Sequence, residues 1–591
     1  MKELRAVLPF VQPYRRGMAL GLLLVVASNL GSVLSPLLLG LAIDAMEAPG
    51  APLGRIAVYA GLIVAATAVG GVARFGMRQL LNGISRRVET DLRDAFFAHL
   101  ARLDAGFYAA TRTGDLMSRA TNDTQAVRMA IGPGIMYLVN TVVSTALSLA
   151  FMMRYSVPLT LVALIPMVAL PVVMRYFGGL IHQRFSQIQD HFGVITTMVQ
   201  ENLSGVRIVR AYVQEEAQER ELDALNREYV ARNMALARVS AVFHPLLTVL
   251  TGLGLLVALW YGGSQTIAGA ISKGDFVAFT FYLVMLTWPL IALGWVVNLF
   301  QRGAASMARI NTIFRTPPRI VDDPQPTSLT AVRGEIEFRR VSFRYPGTER
   351  WILRDVSFRI PAGATAALVG PTGAGKSTLV ALLARRFDPQ EGTVLLDGVP
   401  LPRVPIAQLR EAMGVVPQEA FVFSETLAEN IGFGITRGDS DARIARAADV
   451  AQLTRTIAGF PDGYRTRVGE RGVTLSGGQR QRTTLARALV RDPRIVVLDD
   501  ALSAVDTHTE KDILLALRRE LAGRTAVIVS HRVSAVMSAD PILVFEDGRL
   551  VEQGTHTDLI ARAGVYARLL RRQMLEEGLE TDALAEERAQ G

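Results

Sequence analysis

No cysteine occurs in the 591 residues, which excludes disulfides and thiolate metal sites outright. Lysine is scarce as well: four of the 63 basic residues are Lys and the rest are Arg, a bias that composition assigns equally to genome content or to a hot habitat. Long apolar runs are missing beyond about residue 300, and before it charge is confined to a few polar stretches. Yet half of the chain is hydrophobic and mean hydropathy is +0.28, high for a soluble protein. That asymmetry predicts a membrane domain followed by a soluble one, and the length suffices for two or three domains. The net charge of +9 flanks apolar runs or sits in the second half, which fits basic cytoplasmic loops and argues against a nucleic-acid partner.

Lys2, Arg5, Arg15 and Arg16 precede the first apolar run, as they would in a signal peptide. The run over 17–43 is too long for a signal's apolar core and lacks a cleavage site, so it reads as a retained anchor. A spanning helix needs ~20 apolar residues. Six stretches qualify: about 17–43, 56–77, 130–153, 157–177, 241–264 and 276–300. Each is expected to be helical because backbone exposed to lipid must satisfy its own hydrogen bonds. Loops 44–55, 154–156 and 265–275 are short with few basic residues, whereas 78–129 and 178–240 are long and Arg-rich. The positive-inside rule therefore puts the N-terminus, both long loops and the second half of the chain in the cytoplasm, on the inner face of a cell's cytoplasmic membrane. Helical periodicity over 88–103 and 198–229 predicts that the spans continue into the cytoplasm and turn near 110–119 and 211–218. Asn29, Asn140, Asn298 and His244 lie inside spans, as interhelical hydrogen-bond partners or as pathway groups. Pro36, Pro245 and Pro289 are expected to kink their helices.

The Pro-rich stretch 317–333 marks a linker, and from Gly334 strand-like runs alternate with helical ones. The expected fold is therefore multi-domain: a six-helix α-helical transmembrane domain over 1–316, the linker, then an α/β P-loop domain with a largely parallel core sheet over 334–570. A C-terminal tail is expected over 571–591, its charged, Ala-rich part over 576–591 forming a solvated helix. The strand at 366–369 runs into a loop matching G-x-x-x-x-G-K-[ST] from Gly370 to Thr378. In that motif Gly370, Thr372, Gly373 and Gly375 let backbone N–H groups curl around phosphates. Lys376 reaches the β- and γ-phosphates, Ser377 takes Mg²⁺, and Thr378 completes the pattern. A second buried strand at 495–498 ends in Asp499, placed to hold Mg²⁺ through water, with Asp500 beside it. These residues predict a nucleoside triphosphatase.

The segment Leu475, Ser476, Gly477, Gly478, Gln479 narrows that reading. With the phosphate loop it resembles the ATP-binding cassette (ABC) family, and the family's other motifs follow in order. Tyr345 matches the aromatic that stacks on adenine, and Gln418 the residue that senses Mg²⁺ and the membrane domain. The stretch 468–472 (VGERG) resembles an exporter-specific loop; 503–506, ending in Asp506, matches the loop that crosses the dimer interface; and His531 matches the γ-phosphate switch. Six helices N-terminal to one cassette, with long cytoplasmic loops, is the exporter arrangement, so the resemblance covers essentially the whole chain. It implies ATP and Mg²⁺ as cofactors and a second ABC half-transporter as partner. Two cassettes would meet head to tail, with each ATP held between one P-loop and the partner's Ser476–Gln479 equivalent. The implied activity is ATP-driven export of hydrophobic or amphipathic solutes (drugs, lipids or peptides) by alternating access. The spans show no charge strip and no acidic relay, which favours such cargo over a small ion.

One position departs from the family pattern. A glutamate usually follows the Mg²⁺ aspartate as general base or water-positioner, and here it is Asp500. Its carboxylate sits roughly 1–1.5 Å back from the attacking water, a displacement that can cost ~10²-fold in rate. This resembles the degenerate-site subunit of heterodimeric bacterial multidrug exporters similar to antigen-peptide transporters, whose partner supplies the catalytic glutamate. The alternatives are a homodimeric lipid or drug flippase in which aspartate works slowly, and an ATP-gated membrane regulator without cargo.

Overall fold

Apolar runs in lipid satisfy their backbone only by coiling on themselves, and six helices do so here. The computed structural model describes residues 2–47, 53–435, 440–469, 472, 474–530 and 536–575, apart from the side chains of Lys2, Pro171, His244 and Thr507. His531, Glu470 and Arg471 of the 468–472 loop, the side chain of His244, and the tail from 576 thus lie outside the described residues. The helices are α1 (Arg15–Glu47), α2 (Leu53–Leu100), α3 (Ile135–Tyr155), α4 (Val157–Ser204), α5 (Glu215–Val257) and α6 (Lys273–Phe314). All six are long and apolar enough to cross a membrane, with α3 and α5 continued by π-turns at Ala130–Gly134 and Ala258–Gly262. At 48 residues each, α2 and α4 run ~70 Å, more than twice a hydrocarbon core, so both project well beyond it.

Each loop tip carries one break more than the periodicity predicts. Helix α2 stops at Leu100, and Asp104 then caps a short helix, Ala105–Ala110, accepting from the Phe107 N–H at 3.2 Å. The chain is helical again over Thr113–Ser118, so the turn expected near 110–119 is the short break at 111–112, with a second, unexpected break at 101–104. The break at 212–214 before α5 falls within the turn expected near 211–218, and Gly205 adds a further break between α4 and Val206–Ala211. An Asp cap and one glycine override the periodicity locally.

Small residues set the helix packing. A Cβ on Gly31 would lie 2.8 Å from Gly70 Cα, so the backbones of α1 and α2 touch there. Asn29 donates to Asn140 Oδ1 at 2.9 Å and to Val25 O at 2.8 Å, which makes this pair an α1–α3 tie. Asn298 is half-buried on α6, and Pro36, Pro245 and Pro289 lie within uninterrupted helices. Tyr282, fully buried, donates to Val33 O at 2.6 Å with the Phe151 ring stacked on it at 5.4 Å.

The second half is α/β. Strands β1 (Ile336–Phe343), β2 (Leu353–Ile360), β4 (Glu391–Leu396) and β5 (Val399–Pro400) form an antiparallel sheet in the order β2-β1-β4-β5. A second sheet runs β10-β9-β3-β8-β7-β6, from β3 (Thr365–Val369), β6 (Met413–Val416), β7 (Ile495–Asp499), β8 (Thr525–Val529), β9 (Ile542–Glu546) and β10 (Arg549–Gly554). Only β10 is antiparallel within it. Residues on both faces of β7 are buried, as a parallel sheet covered on both sides requires.

Contacts divide the chain into two compact units: Met1–Ala101 with Thr113–Thr316, and Arg102–Arg112 with Pro317–Gly591. The first loop tip therefore belongs to the cassette. Gly106 lies against Phe387 and Pro346, and Asp104 Oδ2 accepts from the Arg319 N–H at 3.3 Å. The linker is also tied down, with the Ile406 N–H donating to Asp322 at 2.7 Å and Thr327 N–H to Arg403 O at 2.7 Å.

Candidate nucleotide site

Strand β3 delivers the chain to Gly370, whose φ of +152° and whose closeness to the Phe545 carbonyl leave no room for a Cβ. The loop then bends over to α7 (Lys376–Leu383). Lys376 curls back, donating to Gly370 O at 2.7 Å and Pro371 O at 2.9 Å. An ammonium has three N–H groups, so two are spent on the loop's own carbonyls and exchange when phosphate oxygens offer stronger acceptors. Ser377 donates to Asp499 Oδ1 at 3.0 Å, joining the loop to the end of β7.

These groups line a cleft of about 250 Å³ formed by Thr372, Gly373, Gly375, Lys376, Ser377, Thr378, Gln418, Asp499 and Asp500, with Ile352 and Val529. Burial lowers the Lys376 pKa against the opposing pull of Asp500 and Asp499. Burial also raises the Asp499 carboxyl above its ordinary value, against the Ser377 hydrogen bond. Each charged form is short of solvation, and an anion with its cation would relieve both. Ser377 Oγ, the Asp499 carboxylate and the Gln418 amide are hard oxygen donors that suit Mg²⁺. Among the described residues no group of three His, Cys, Asp or Glu side chains is placed to hold a metal unaided. An ion that completes its shell with water and phosphate oxygens fits that set.

Asp500 follows β7 in the left-handed region, at φ +48°. Its N–H donates to Val529 O at 2.9 Å, and its carbonyl accepts from Ser503 Oγ at 3.1 Å, so the backbone is fixed on both sides while the carboxylate lines the cleft.

Other expected site residues lie elsewhere. Tyr345 is outside the cleft lining, with its hydroxyl 3.0 Å from Thr378 Oγ1 and its ring edge-on to Phe343 and Phe387 at 5.1 and 5.4 Å. Ser476 caps α8 (Gly477–Leu489) in a reciprocal pair with Gln479, and Ser476, Gly477, Gly478 and Gln479 do not line the cleft either. That leaves the N-terminus of α8 with N–H groups suited to an anion that this chain's own P-loop does not present. Asp506 spends its carboxylate as the N-cap of α9 (Thr507–Glu520), and the Thr509 backbone N–H holds its pKa below the ordinary value.

Sequence reasoning passed over Gln481. It donates to Ser503 Oγ and accepts from the Ala504 N–H, joining α8 to the loop after Asp500. No local signal marks it, because its partners lie more than 20 residues away.

Two family models match the chain: the ABC transporter transmembrane region over residues 18–290, and ABC transporter over residues 353–503. A probable multidrug resistance ABC transporter ATP-binding/permease protein, YheI of Bacillus subtilis (strain 168), is 38% identical over 576 residues, covering 96% of this chain and 98% of that one. The chain belongs to the ABC transporter family. The multidrug resistance-like ATP-binding protein MdlA of Escherichia coli (strain K12) is 35% identical over 572 residues, covering 97% of this ABC transporter and 96% of the relative. A solved bacterial Atm1-family ABC exporter with ATP bound superposes with a TM-score of 0.76 at 31% identity, over 95% of this chain and 98% of that one. This ABC transporter therefore carries one membrane domain and one cassette in a single chain.

Proposed function

We propose that the chain is half of an ATP-driven exporter of hydrophobic or amphipathic solutes, working by alternating access in the cytoplasmic membrane with its N-terminus and cassette inside. Its partner is a second half-transporter bearing a catalytic glutamate, and its own site binds ATP but turns it over poorly. Export is supported by the whole-length likeness to an Atm1-family exporter and to proteins named for multidrug resistance. The observation that carries the asymmetry is Asp500: a carboxylate one methylene short lines the cleft of Lys376, Ser377 and Asp499 on a backbone fixed at Val529 and Ser503.

In this reading Lys376 leaves the loop carbonyls for the β- and γ-phosphates, and Ser377 and Asp499 hold Mg²⁺, whose charge helps neutralise the phosphates when it is bound. Gln418, in the same cleft, reports occupancy toward the membrane domain. Tyr345, oriented by Phe387, carries adenine at the cleft's edge, and His531 contacts the γ-phosphate. Asp506 and the Ser476–Gln479 segment serve the nucleotide across the interface, on the partner's P-loop. Asp500 is too short to orient water well, so binding persists while hydrolysis slows.

The test is ATP hydrolysis by the chain alone and by its complex with the partner half-transporter, with Asp500→Asn and Asp500→Glu in each. Asp500→Asn is expected to change the mixed complex by less than about twofold, while removal of the partner's catalytic glutamate abolishes turnover. Brisk hydrolysis by the chain alone, stopped by Asp500→Asn, would identify a homodimer with an aspartate base.

A further inference from the structure

One cation stands inside the second apolar run. Arg74 of α2 donates from Nη2 to Ser32 Oγ at 2.9 Å and from Nε to Ser28 Oγ at 3.4 Å, both on α1. Depth follows from α1 itself. Ser28 lies 12 residues from Arg16 and Ser32 12 residues from Asp44, so the guanidinium sits ~18 Å from each charged end of the helix. Those ends are ~42 Å apart, about a full bilayer with its headgroups, and Arg74 lies three residues inside the cytoplasmic end of the 56–77 run, so the cation rests in the inner half of the membrane. The Gly31–Gly70 contact, one turn away, holds the two helices close enough for Arg74 to reach both serines.

Hydroxyls do not neutralise a guanidinium. Among the described residues no carboxylate pairs with Arg74, and the side chain is exposed on the flank of the helix pair. Arg78, one turn nearer the cytoplasmic extension of α2, is exposed as well. An unpaired cation at that depth is costly and, where it persists, faces a cavity and meets a counter-charge. Two serines leave most of its five N–H groups open, in the forked geometry that suits a carboxylate, sulfonate or phosphate.

The geometry points to Arg74, seated on Ser28 and Ser32 in the inner half of the membrane, as the recognition point for the anionic headgroup of an amphipathic cargo that enters from the cytoplasmic side past Arg78. This rests on the export reading above and narrows its cargo to anionic amphiphiles. The expectation of no charge strip and no acidic relay stands beside it, since Arg74 is a single cation that hydropathy averaging over 56–77 conceals.

The test uses the full transporter complex in phosphatidylcholine nanodiscs and two fluorescent dodecyl probes that differ only in their headgroup, sulfonate or trimethylammonium. The wild-type complex is expected to bind the sulfonate at least tenfold more tightly. Arg74→Gln should weaken sulfonate binding about 10- to 100-fold, the range for losing a charge-assisted pair, and leave the ammonium probe within about twofold. Arg74→Lys should retain most of the preference. Equal binding of the two probes by the wild type, or a preference that survives Arg74→Gln, would overturn the proposal. Loss of thermal stability in Arg74→Gln with the preference intact would also overturn it and leave Arg74 as a helix tie. Adding phosphatidylglycerol separates the sources: competition with the sulfonate marks a lipid headgroup as a ligand, and no competition marks a soluble amphiphile. ATP-dependent accumulation of the sulfonate probe in inside-out vesicles tests export separately, so failure there with the binding preference intact strikes the export reading and spares Arg74.

Discussion

Gln481 of α8 donates from Nε2 to Ser503 Oγ at 3.0 Å, and Ser503 in turn donates to the Asp500 carbonyl at 3.1 Å. The helix that Ser476 caps and the loop that follows the short carboxylate are therefore one hydrogen-bonded piece. A Cβ on Gly478 would also approach the Ala504 carbonyl to 2.8 Å, so the contact has no slack.

Gln481→Ala removes both of that side chain's bonds and loosens α8 and the loop 503–506, which in the proposed function serve the partner's nucleotide, leaving this chain's P-loop intact. Displacements near 1 Å cost up to ~10²-fold in rate. We expect hydrolysis by the complex to fall about tenfold while ATP affinity changes less than twofold, as steady-state kinetics beside calorimetric titration would measure. An equal loss in affinity would place Gln481 in the binding of nucleotide.

Acidity should weaken Mg²⁺–ATP binding through Asp499. Burial raises that carboxyl's pKa, and the Ser377 hydrogen bond pulls it back. The metal requires the ionised carboxylate, so as pH falls through the raised pKa a proton competes, and the dissociation constant rises by up to tenfold per pH unit. Above that pKa the profile is flat in this group. The stability sign is opposite: a raised acid pKa stabilises the empty cassette below the unfolded value, and that contribution is lost as pH rises through the folded one. Titrating Asp499→Asn beside the wild type checks the assignment, since the variant should bind weakly at every pH with the acid limb gone.

Gly106 has little room. A Cβ there would stand 2.9 Å from Asp104 Oδ1 and 3.4 Å from Phe387, and the Phe387 ring lies 5.4 Å from that of Tyr345. Gly106→Leu should push the loop tip off the cassette, lowering cargo transported per ATP about tenfold with ATP binding preserved. Gly106→Ala should be milder because the Asp104 side chain can turn away. Transport and hydrolysis measured on the same vesicles give the ratio, and an unchanged ratio in Gly106→Leu would show that the tip contact transmits nothing.

The parts legible in the sequence are those whose physics is local. Six apolar runs declared six helices because lipid leaves the backbone no other partner. Gly370 to Ser377 announced itself because phosphate binding needs glycines at fixed offsets between a strand and a helix. Asp104 and Gly205 were harder: Asp104 starts a new short helix just past one periodic stretch, Gly205 ends α4 inside another, and periodicity averages over single residues. Arg74 was hidden the same way among apolar neighbours. Partnerships across the chain were not legible at all. Asn29 with Asn140 and Gln481 with Ser503 are set by packing that no local pattern encodes. Asp506 carried a family expectation, and its carboxylate is spent on capping α9, a role that spacing alone does not separate from one at an interface.

The inclusion of Arg102–Arg112 in the second unit has a consequence for the order in which the protein is made. Gly106 leaves the ribosome about 280 residues before Phe387, which at 5–20 residues per second is an interval of tens of seconds. Throughout that time the tip waits in solvent for a surface that does not yet exist. The cassette as it is packed here therefore includes a piece made well before the rest of it, delivered from the end of α2. A nascent chain whose first hairpin inserts wrongly keeps that piece from the soluble side, and its cassette then folds without the tip against Phe387 and Pro346.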